Sequence, residues 1–196
     1  MSAVPEHYLT LQDYLQLEET SETKHEYYQG AIYDLAGANM RHNIIVANVI
    51  GNLYMQLREK KCTVVPSDLR IKVEAIGLYT YPDVSVICGE IGYADGRQDT
   101  VTNPSLIIEV LSPSSENYDC GLKFQHYRTL ASLQEYLLIA QDRARVELYV
   151  RQQEHQWLLM EFTGIDQVIP LTSIGCSLTL TAIYEKIGFD AQDEKP

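Results

Sequence analysis

The sequence contains few positive charges. Lys and Arg together number 15 against 27 Asp and Glu, which gives a formal net charge of −12 and a sequence pI near 4.7. Non-specific affinity for a phosphate backbone comes mainly from Lys and Arg, which release counterions when they contact phosphates. The charge balance therefore argues against a general attraction to nucleic acid, and any such role must rest on a local group of residues.

Cysteines and long apolar runs are also scarce. Cys62, Cys88, Cys120 and Cys176 form no CxxC pair and have no histidine at a metal-ligand spacing, which argues against a zinc site and a disulfide scaffold. No segment approaches the roughly 18 apolar residues of a membrane span, and the N-terminus lacks the features of a signal peptide. We therefore expect a soluble cytoplasmic protein without membrane association.

The chain contains no internal repeat, low-complexity tract or linker. Its 196 residues, 45% of them hydrophobic, have the composition of an ordinary globular protein. We predict one domain over residues 1–196, with a core from about residue 8 to 187. Residues 1–7 and the polar tail after Phe189 are the expected loose ends.

Helices are indicated by apolar residues that recur every three or four positions. Residues 41–58 give the clearest pattern, because Ile45, Val49, Leu53 and Leu57 lie on one stripe. Further helices are predicted over residues 10–19, 119–131 and 179–187.

Strands are indicated by alternation and by short apolar runs. Residues 24–36 predict a hairpin that turns at Gln29-Gly30. Residues 62–74 predict a strand with one solvated face, because apolar and charged side chains alternate toward its end. Further strands are predicted over residues 81–88, 104–112, 135–140, 145–150 and 156–162.

The two most apolar of these segments, 81–88 and 104–112, are typical of central strands that are covered on both faces. Together with the helices they predict an α/β fold in which a mixed β-sheet is flanked by helices.

Glu109 breaks the pattern of its own strand. A period of two places Ile107, Glu109 and Leu111 on one face of the segment, so a carboxylate stands among apolar side chains. Burying an unpaired carboxylate costs several kcal/mol. Two interpretations stay open: a structural ion pair or exposed position, and a carboxylate held for a metal ion.

Asp83 follows Pro82 at the entrance of the preceding apolar strand. A Pro-Asp pair at this position is often only a turn. If the strands of Asp83 and Glu109 are neighbours, however, they offer two converging oxygen ligands of the kind that Mg²⁺ prefers.

Lys123 is the third polar residue in an apolar pattern, since it shares a helical face with Tyr127 and Leu130. It either extends along the surface to solvent or points inward, where Asp83 and Glu109 would be its counter-charges. Glu26 in the hairpin and His42 on the apolar face of the long helix are additional candidates. Their ordinary alternatives are a solvated glutamate and a hydrogen-bonded core histidine.

The segments KHEYYQGAIYDLAGANMRHN, TYPDVSVI, PSLIIEVLSPSS and GLKFQHYRTLASLQEYLLI resemble, in order and spacing, the Uma-type restriction endonucleases. The resemblance covers roughly residues 8–187. That prokaryotic family is similar to the PD-(D/E)XK nuclease superfamily, whose mixed sheet is flanked by helices and carries a metal site at its strand ends. The resemblance implies a restriction-endonuclease-like core with an N-terminal β-hairpin extension.

By this resemblance Asp83 matches the motif aspartate, Glu109 the motif acidic residue, and Glu26 and His42 the additional polar positions. The superfamily places a lysine two positions after the second acid, where this chain has Leu111.

Lys123, with Tyr127 after it, fits the family position of a lysine that has moved to the following helix. Ala140 stands where the family commonly has an acidic residue, and we expect that position to be structural.

The leading hypothesis is metal-dependent hydrolysis of DNA phosphodiester bonds. Asp83, Glu109 and the backbone carbonyl of Val110 would hold one or two Mg²⁺ ions, with Mn²⁺ as a substitute. Lys123 would act on the attacking water or the scissile phosphate. Glu26 would anchor a second metal, and His42 would orient a ligand or phosphate.

Two other functions stay open. Leu111 in place of the motif lysine, together with the acidity, favours a catalytically silent nuclease-fold module for binding or regulation. A metal-dependent hydrolase of small nucleotide substrates would not be hindered by an acidic surface. For DNA we expect weak, metal-dependent affinity that is focused on Lys123, Arg41 and Arg128. We also expect a homodimer, with exposed strands such as 145–150 pairing between subunits.

Overall fold

The computed structural model describes residues 8–35, 37–112 and 116–189. The predicted loose ends, residues 1–7 and the tail after Phe189, lie outside the described residues. Within the described residues, no helix combines the length and apolar character needed to cross a lipid bilayer.

The two longest helices begin where side chains cap them. Thr10 forms a capping box with Asp13 at the start of the first helix, and Asn39 accepts a hydrogen bond from the backbone N–H of His42 at the start of the second. The predicted apolar stripe of the second helix is buried. The α-helices are α1 (Leu11–Thr20), α2 (Met40–Leu57), α3 (Glu116–Tyr118), α4 (Phe124–Tyr127) and α5 (Leu180–Ile183).

The strands form three sheets. The predicted hairpin turn is confirmed: Gln29 and Gly30 both have positive φ, at 49° and 87°, as a tight hairpin turn requires. The strands are β1 (His25–Tyr28), β2 (Ala31–Asp34), β3 (Cys62–Pro66), β4 (Arg70–Val73), β5 (Leu78–Thr80), β6 (Val84–Cys88), β7 (Thr100–Val101), β8 (Leu106–Leu111), β9 (Glu135–Ala140), β10 (Arg145–Gln153), β11 (Gln156–Thr163), β12 (Val168–Leu171) and β13 (Cys176–Thr179).

The central sheet has six strands in the order β11-β10-β9-β8-β6-β3. It is mixed, because β8 and β9 are parallel whereas the other neighbours are antiparallel. The hairpin belongs to a five-stranded sheet of order β2-β1-β5-β4-β7, and β12 pairs with β13. The predicted mixed α/β fold is confirmed, with the hairpin enlarged into a second sheet.

Strand β8 separates two apolar cores. Leu106, Ile108 and Val110 pack in a core that includes the buried stripe of α2. On the opposite face, Ile107 and Leu111 pack in a core that includes residues of β4 and β5. The central sheet therefore lies between α2 and the five-stranded sheet, and the predicted alternation of β8 is confirmed.

The segment 62–74 differs from its prediction. It forms two strands in different sheets, because the chain turns after Pro66. On the predicted solvated face of this segment Asp68 and Glu74 are exposed, but Arg70 is buried: it pairs with Asp99 at 3.0 Å and lies over the ring of Tyr14 on α1. Alternation indicates a strand here, but it cannot show that neighbouring elements cover part of the charged side.

The predicted helix 119–131 is shorter and less regular. A π-helical turn, Asp119–Lys123, separates α3 from α4, and the helix ends at Tyr127. A π turn places one extra residue in each hydrogen-bonded ring, so it changes the direction of the side chains that follow an α-helical period. The predicted final helix 179–187 is likewise reduced to the short α5.

Two further predictions are corrected by strand pairing. Strand β10 is paired on both sides, with β9 and β11, so it offers no free edge to another subunit; the sheet ends at β11. Cys62 and Cys88, separated by 26 residues, are direct partners in the β3–β6 register and form a disulfide. Sequence spacing cannot reveal this bond, because strand register alone brings the two cysteines together.

Glu135 fixes the central sheet to the turn after β12. Its fully buried carboxylate accepts hydrogen bonds from the backbone N–H groups of Thr172 (2.8 Å) and Ser173 (3.4 Å) and from both hydroxyls. Replacing Glu135 by Ala removes the buried charged acceptor of four hydrogen bonds that connect β9 to the exposed Thr172 and the half-buried Ser173. We expect a loss of about 3 kcal/mol in the free energy of unfolding, measured by urea denaturation; a loss below about 0.5 kcal/mol would contradict this role.

Candidate functional site

A cleft of about 600 Å³ opens beside the N-terminal end of α2, where β6 begins and β8 ends. Its wall is formed by α2, β8 and the π turn Asp119–Lys123, together with residues of the segments that connect the elements. The described residues that line it are Thr23, Lys24, Leu35, Gly37, Ala38, Asn39, His42, Asn43, Val46, Ser67, Tyr81, Asp83, Glu109, Val110, Ser112, Asp119, Lys123 and Gln141.

Glu109 lies in the middle of β8 and is only 3% exposed. Its Oε1 atom is 2.8 Å from Nζ of Lys123 and accepts a hydrogen bond from the hydroxyl of Tyr127 at 3.1 Å. Burial raises the pKa of Glu109 well above its ordinary value, while Lys123 opposes this rise. The position is therefore a buried ion pair at the cleft, and the exposed alternative is excluded.

Asp83 lies directly before β6, next to the end of β8. Its Oδ2 atom accepts hydrogen bonds from the backbone N–H of Val110 (2.7 Å) and from the ring of His42 (3.1 Å). Its own N–H points to Oε2 of Glu109 at 3.4 Å. The antiparallel pairing of β6 and β8 thus brings the two predicted acids together, although 26 residues separate them in sequence.

Lys123 points inward from the π turn, so the alternative of a lysine reaching to solvent is excluded. Its Nζ atom lies 2.8 Å from Glu109, 3.5 Å from Asp119 and 3.8 Å from Glu26. Burial alone would lower the pKa of Lys123, but the surrounding carboxylates, Glu109 foremost, raise it well above its ordinary value. Lys123 is consequently held as a charged ammonium in a region of excess negative charge.

Glu26 lies behind the cleft on β1 and is buried, so the solvated alternative is excluded. Its Oε1 atom accepts a hydrogen bond from the hydroxyl of Thr80, and Oε2 accepts one from the hydroxyl of Tyr118 at 3.1 Å. The site therefore combines a strand of the hairpin sheet with two strands of the central sheet.

His42 occupies the first turn of α2 and connects the helix to Asp83 through its Nε2 atom. Its Nδ1 atom is buried and has no hydrogen-bond partner among the described residues. Asn39, which caps α2, also donates a hydrogen bond to the side chain of Gln141 at 3.0 Å. The helix start is thus fixed both to the acidic site and to the segment after β9.

The other cations expected at the site lie elsewhere. Arg41 binds the carbonyl groups of Gln141 and Gly188, and Arg128 is exposed outside the cleft wall. Leu111 and Ala140 are both buried in the central sheet. Of the three predicted cations, Lys123 alone lines the cleft in the part of the chain that the structure describes.

Sequence reasoning missed four residues of this region: Asp119, Lys24, Thr80 and Tyr118. Asp119 precedes Lys123 by four positions, a spacing typical of helical ion pairs, and this signal was available. Lys24 lies at the cleft above the ring of Tyr81 and pairs with Asp68. Nothing in the sequence distinguished Lys24, Thr80 or Tyr118 from other strand and turn residues.

The arrangement fits a hydrated divalent cation. In the described ranges, no group of three or more His, Cys, Asp and Glu side chains could hold a metal ion by itself. Asp83 Oδ1 has no protein hydrogen bond among the described residues, and Glu109 Oε2 receives only the long contact from Asp83. The N–H of Val110 faces Asp83, and the carbonyl of a strand residue points to the same side. Two carboxylates, one carbonyl and several waters match the preference of Mg²⁺.

The mixed central sheet, its flanking helices and the hairpin sheet define a nuclease-like α/β fold. A solved structure from Anabaena variabilis ATCC 29413, "a putative nuclease belonging to DUF820", has the same fold, with a TM-score of 0.73 at 21% identity. The match covers 89% of this chain and 97% of that chain. The fold class predicted from the sequence is therefore confirmed.

Residues 11–182 match the Uma2 family, "Putative restriction endonuclease", and the chain belongs to this family. Two proteins of Synechocystis sp. (strain ATCC 27184 / PCC 6803 / Kazusa) are similar over most of its length. The protein sll1609 is 44% identical over 80% of this chain and 88% of its own, and slr1290 is 36% identical over 92% and 94%. The predicted family is confirmed, and family and fold together support a nuclease function of the restriction-endonuclease type.

Proposed function

We propose that this protein is a metal-dependent endonuclease that hydrolyses DNA phosphodiester bonds. The observation that carries the proposal is the convergence of Asp83, Glu109 and Lys123 on one cleft, from three separate elements. A buried ion pair that served stability alone would not need a second carboxylate beside it at the surface of a cleft. The arrangement instead resembles a site that gathers cations and phosphate oxygens.

In this proposal Asp83, Glu109 and the carbonyl of Val110 hold Mg²⁺, for which Mn²⁺ can substitute. When bound, the cation lowers the pKa of a water molecule and neutralises charge on the phosphate. The two carboxylates are held for this task by neighbouring donors: Val110 and His42 bind one oxygen of Asp83, and Tyr127 binds one oxygen of Glu109. In each case the other oxygen would bind the cation.

Lys123 acts as a hydrogen-bond donor. Because its surrounding carboxylates keep it protonated, it is poorly suited to accept a proton from water. We infer that the ammonium instead stabilises the negative charge that develops on the scissile phosphate. Glu26 balances the charge of Lys123 from the side away from the cleft. Because Glu26 is buried, the proposal relies less on its direct binding of a second metal.

The position of Lys123 supports the nuclease over one of the other functions that the sequence left open. A catalytically silent module would be favoured by a lysine on the solvent side, but Lys123 is buried against Glu109. A small nucleotide is the second candidate substrate, because a cleft of about 600 Å³ lies within the size range of small-molecule sites.

The proposal includes DNA as a partner with weak, metal-dependent affinity, in keeping with the net charge of −12. It also includes a homodimer, because cleavage of both strands of a duplex requires two sites. The edge strands of the central sheet are β11 and β3, and we place the contact between subunits on β11, the neighbour of the strand that contains residues 145–150.

Removal of the metal tests the proposal directly. We expect the purified protein to nick or cut plasmid DNA in Mg²⁺ or Mn²⁺, to lose this activity in EDTA, and to recover it when Mn²⁺ is restored in excess. The same preparations are assayed on single-stranded DNA and on a chromogenic nucleotide phosphodiester. Cleavage that persists in EDTA would contradict metal dependence, and turnover of the nucleotide alone would favour the second candidate.

A further inference from the structure

Thr80 lies behind the cleft, between two hydrogen bonds that hydroxyl groups donate to buried carboxylates. It ends β5 and is fully buried. Its hydroxyl donates to Oε1 of Glu26 and lies 3.2 Å from the hydroxyl of Tyr127, which donates to Oε1 of Glu109 at 3.1 Å. Thr80 therefore connects the carboxylate on β1 with the carboxylate on β8 through short polar contacts.

These contacts bear on a competition for Lys123. Its ammonium is 2.8 Å from Glu109 but 3.8 Å from Glu26, although both carboxylates are buried and both attract it. Charge-assisted hydrogen bonds are strong at the shorter distance. A local feature must therefore favour Glu109 over Glu26 as the close partner.

The difference between the two carboxylates lies in their neutral donors. Both oxygens of Glu26 are satisfied by hydroxyl groups, one from Thr80 and one from Tyr118. A buried carboxylate that lost one of these donors would seek another, and the nearest charged donor is Lys123. Its movement toward Glu26 would lengthen the contact with Glu109.

We propose that Thr80 is a positioning residue: its hydroxyl satisfies Glu26 and thereby leaves the ammonium of Lys123 to Glu109, at the cleft. This inference rests on the proposed function, because it concerns the placement of the group that would face the scissile phosphate. Thr80 itself lies outside the cleft wall, so its effect on the substrate would be exerted through Glu26 and Lys123.

The test compares Thr80→Val, which keeps the shape and removes the hydroxyl, with Thr80→Ser, which keeps the hydroxyl. We expect Thr80→Val to lower kcat about tenfold with little change in KM, because a small displacement of a catalytic group is costly. Thr80→Ser should retain kcat within about twofold. Thermal unfolding of both variants establishes that they are folded at the assay temperature.

Mn²⁺ binding without DNA, followed by calorimetry, supplies a readout besides activity. If Lys123 moves away from Glu109, the metal site becomes more negative, and Thr80→Val should bind Mn²⁺ about threefold more tightly. Loosening of the fold would instead weaken Mn²⁺ binding and activity together. Tyr118→Phe removes the other hydroxyl at Glu26, so it should lower kcat and raise Mn²⁺ affinity as Thr80→Val does. It replaces Thr80→Val in the test if that variant fails to fold.

A double-mutant cycle completes the test. In a Glu26→Gln background the competing charge is absent, so Thr80→Val should have little further effect on Mn²⁺ affinity or kcat. The inference is overturned if Thr80→Val has the kcat and Mn²⁺ affinity of an active wild type, or if Thr80→Ser loses as much kcat as Thr80→Val. It is also overturned if Thr80→Val changes both quantities by the same factor in the Glu26→Gln background as in the wild type. A wild type that neither binds Mn²⁺ nor cuts DNA overturns the proposed function and this inference with it.

Discussion

Replacing Asp83 by Asn is expected to reduce metal-dependent DNA cleavage about a thousandfold while the fold stays intact. Asparagine keeps the size of the side chain and an oxygen that can accept the hydrogen bond from Val110, but it removes the charge that would hold a cation. A loss of roughly 4 kcal/mol of transition-state stabilisation corresponds to this factor. Single-turnover cleavage rates across an Mn²⁺ titration measure it.

Two variants give this measurement its controls. Glu109→Gln should show a loss of similar size, because Glu109 is the other side-chain oxygen ligand in the proposal. Asp166→Asn changes an exposed aspartate outside the cleft wall and should cleave at the wild-type rate. Wild-type rates in both Asp83→Asn and Glu109→Gln would refute the assignment of the metal site.

Replacing Lys123 by Met is expected to destabilise the protein by about 3 kcal/mol, because removal of one partner leaves buried charge without compensation. Glu109, Glu26 and Asp119 all lie within 4 Å of the ammonium that is lost. Urea denaturation gives the free energy of unfolding. Where the variant remains folded, we also expect DNA cleavage to fall by at least about a hundredfold.

The double variant Lys123→Met with Glu109→Gln separates charge balance from packing. It removes one positive and one negative charge together, so it should be more stable than Lys123→Met alone. Lys61→Met changes an exposed lysine and should alter stability by less than about 0.5 kcal/mol. Equal losses in the double variant and in Lys123→Met would mean that the ion pair with Glu109 contributes nothing to folding.

Strand β8 illustrates how much of the site a local pattern can predict. The period of two placed Glu109 on a face with Ile107 and Leu111, and the structure confirms that face. A carboxylate among apolar residues marks an anomaly because its burial is costly wherever it lies in the fold. This physical rule needs no knowledge of the neighbours, and it also drew attention to Lys123.

The partners of these residues could not be found in the same way. Thr80 is an ordinary threonine at the end of an ordinary strand until Glu26 and Tyr127 lie beside it. Arg70 occupies a charged position of an alternating strand, and it is buried by contacts from other elements, among them the rings of Tyr14 and Tyr81. Such contacts depend on sheet order and register, which local sequence patterns do not encode.

The sequence by itself determined the mixed α/β class, the family, the long helix α2 and the identity of the anomalous residues. It could do so because periodicity and the cost of burying charge act within a few residues of the chain. The tertiary structure alone decided that Asp83 and Glu109 share a cleft, that Lys123 prefers Glu109, and that Cys62 meets Cys88. These facts follow from β6 pairing with β8 and β3, and from a π turn that directs one lysine inward.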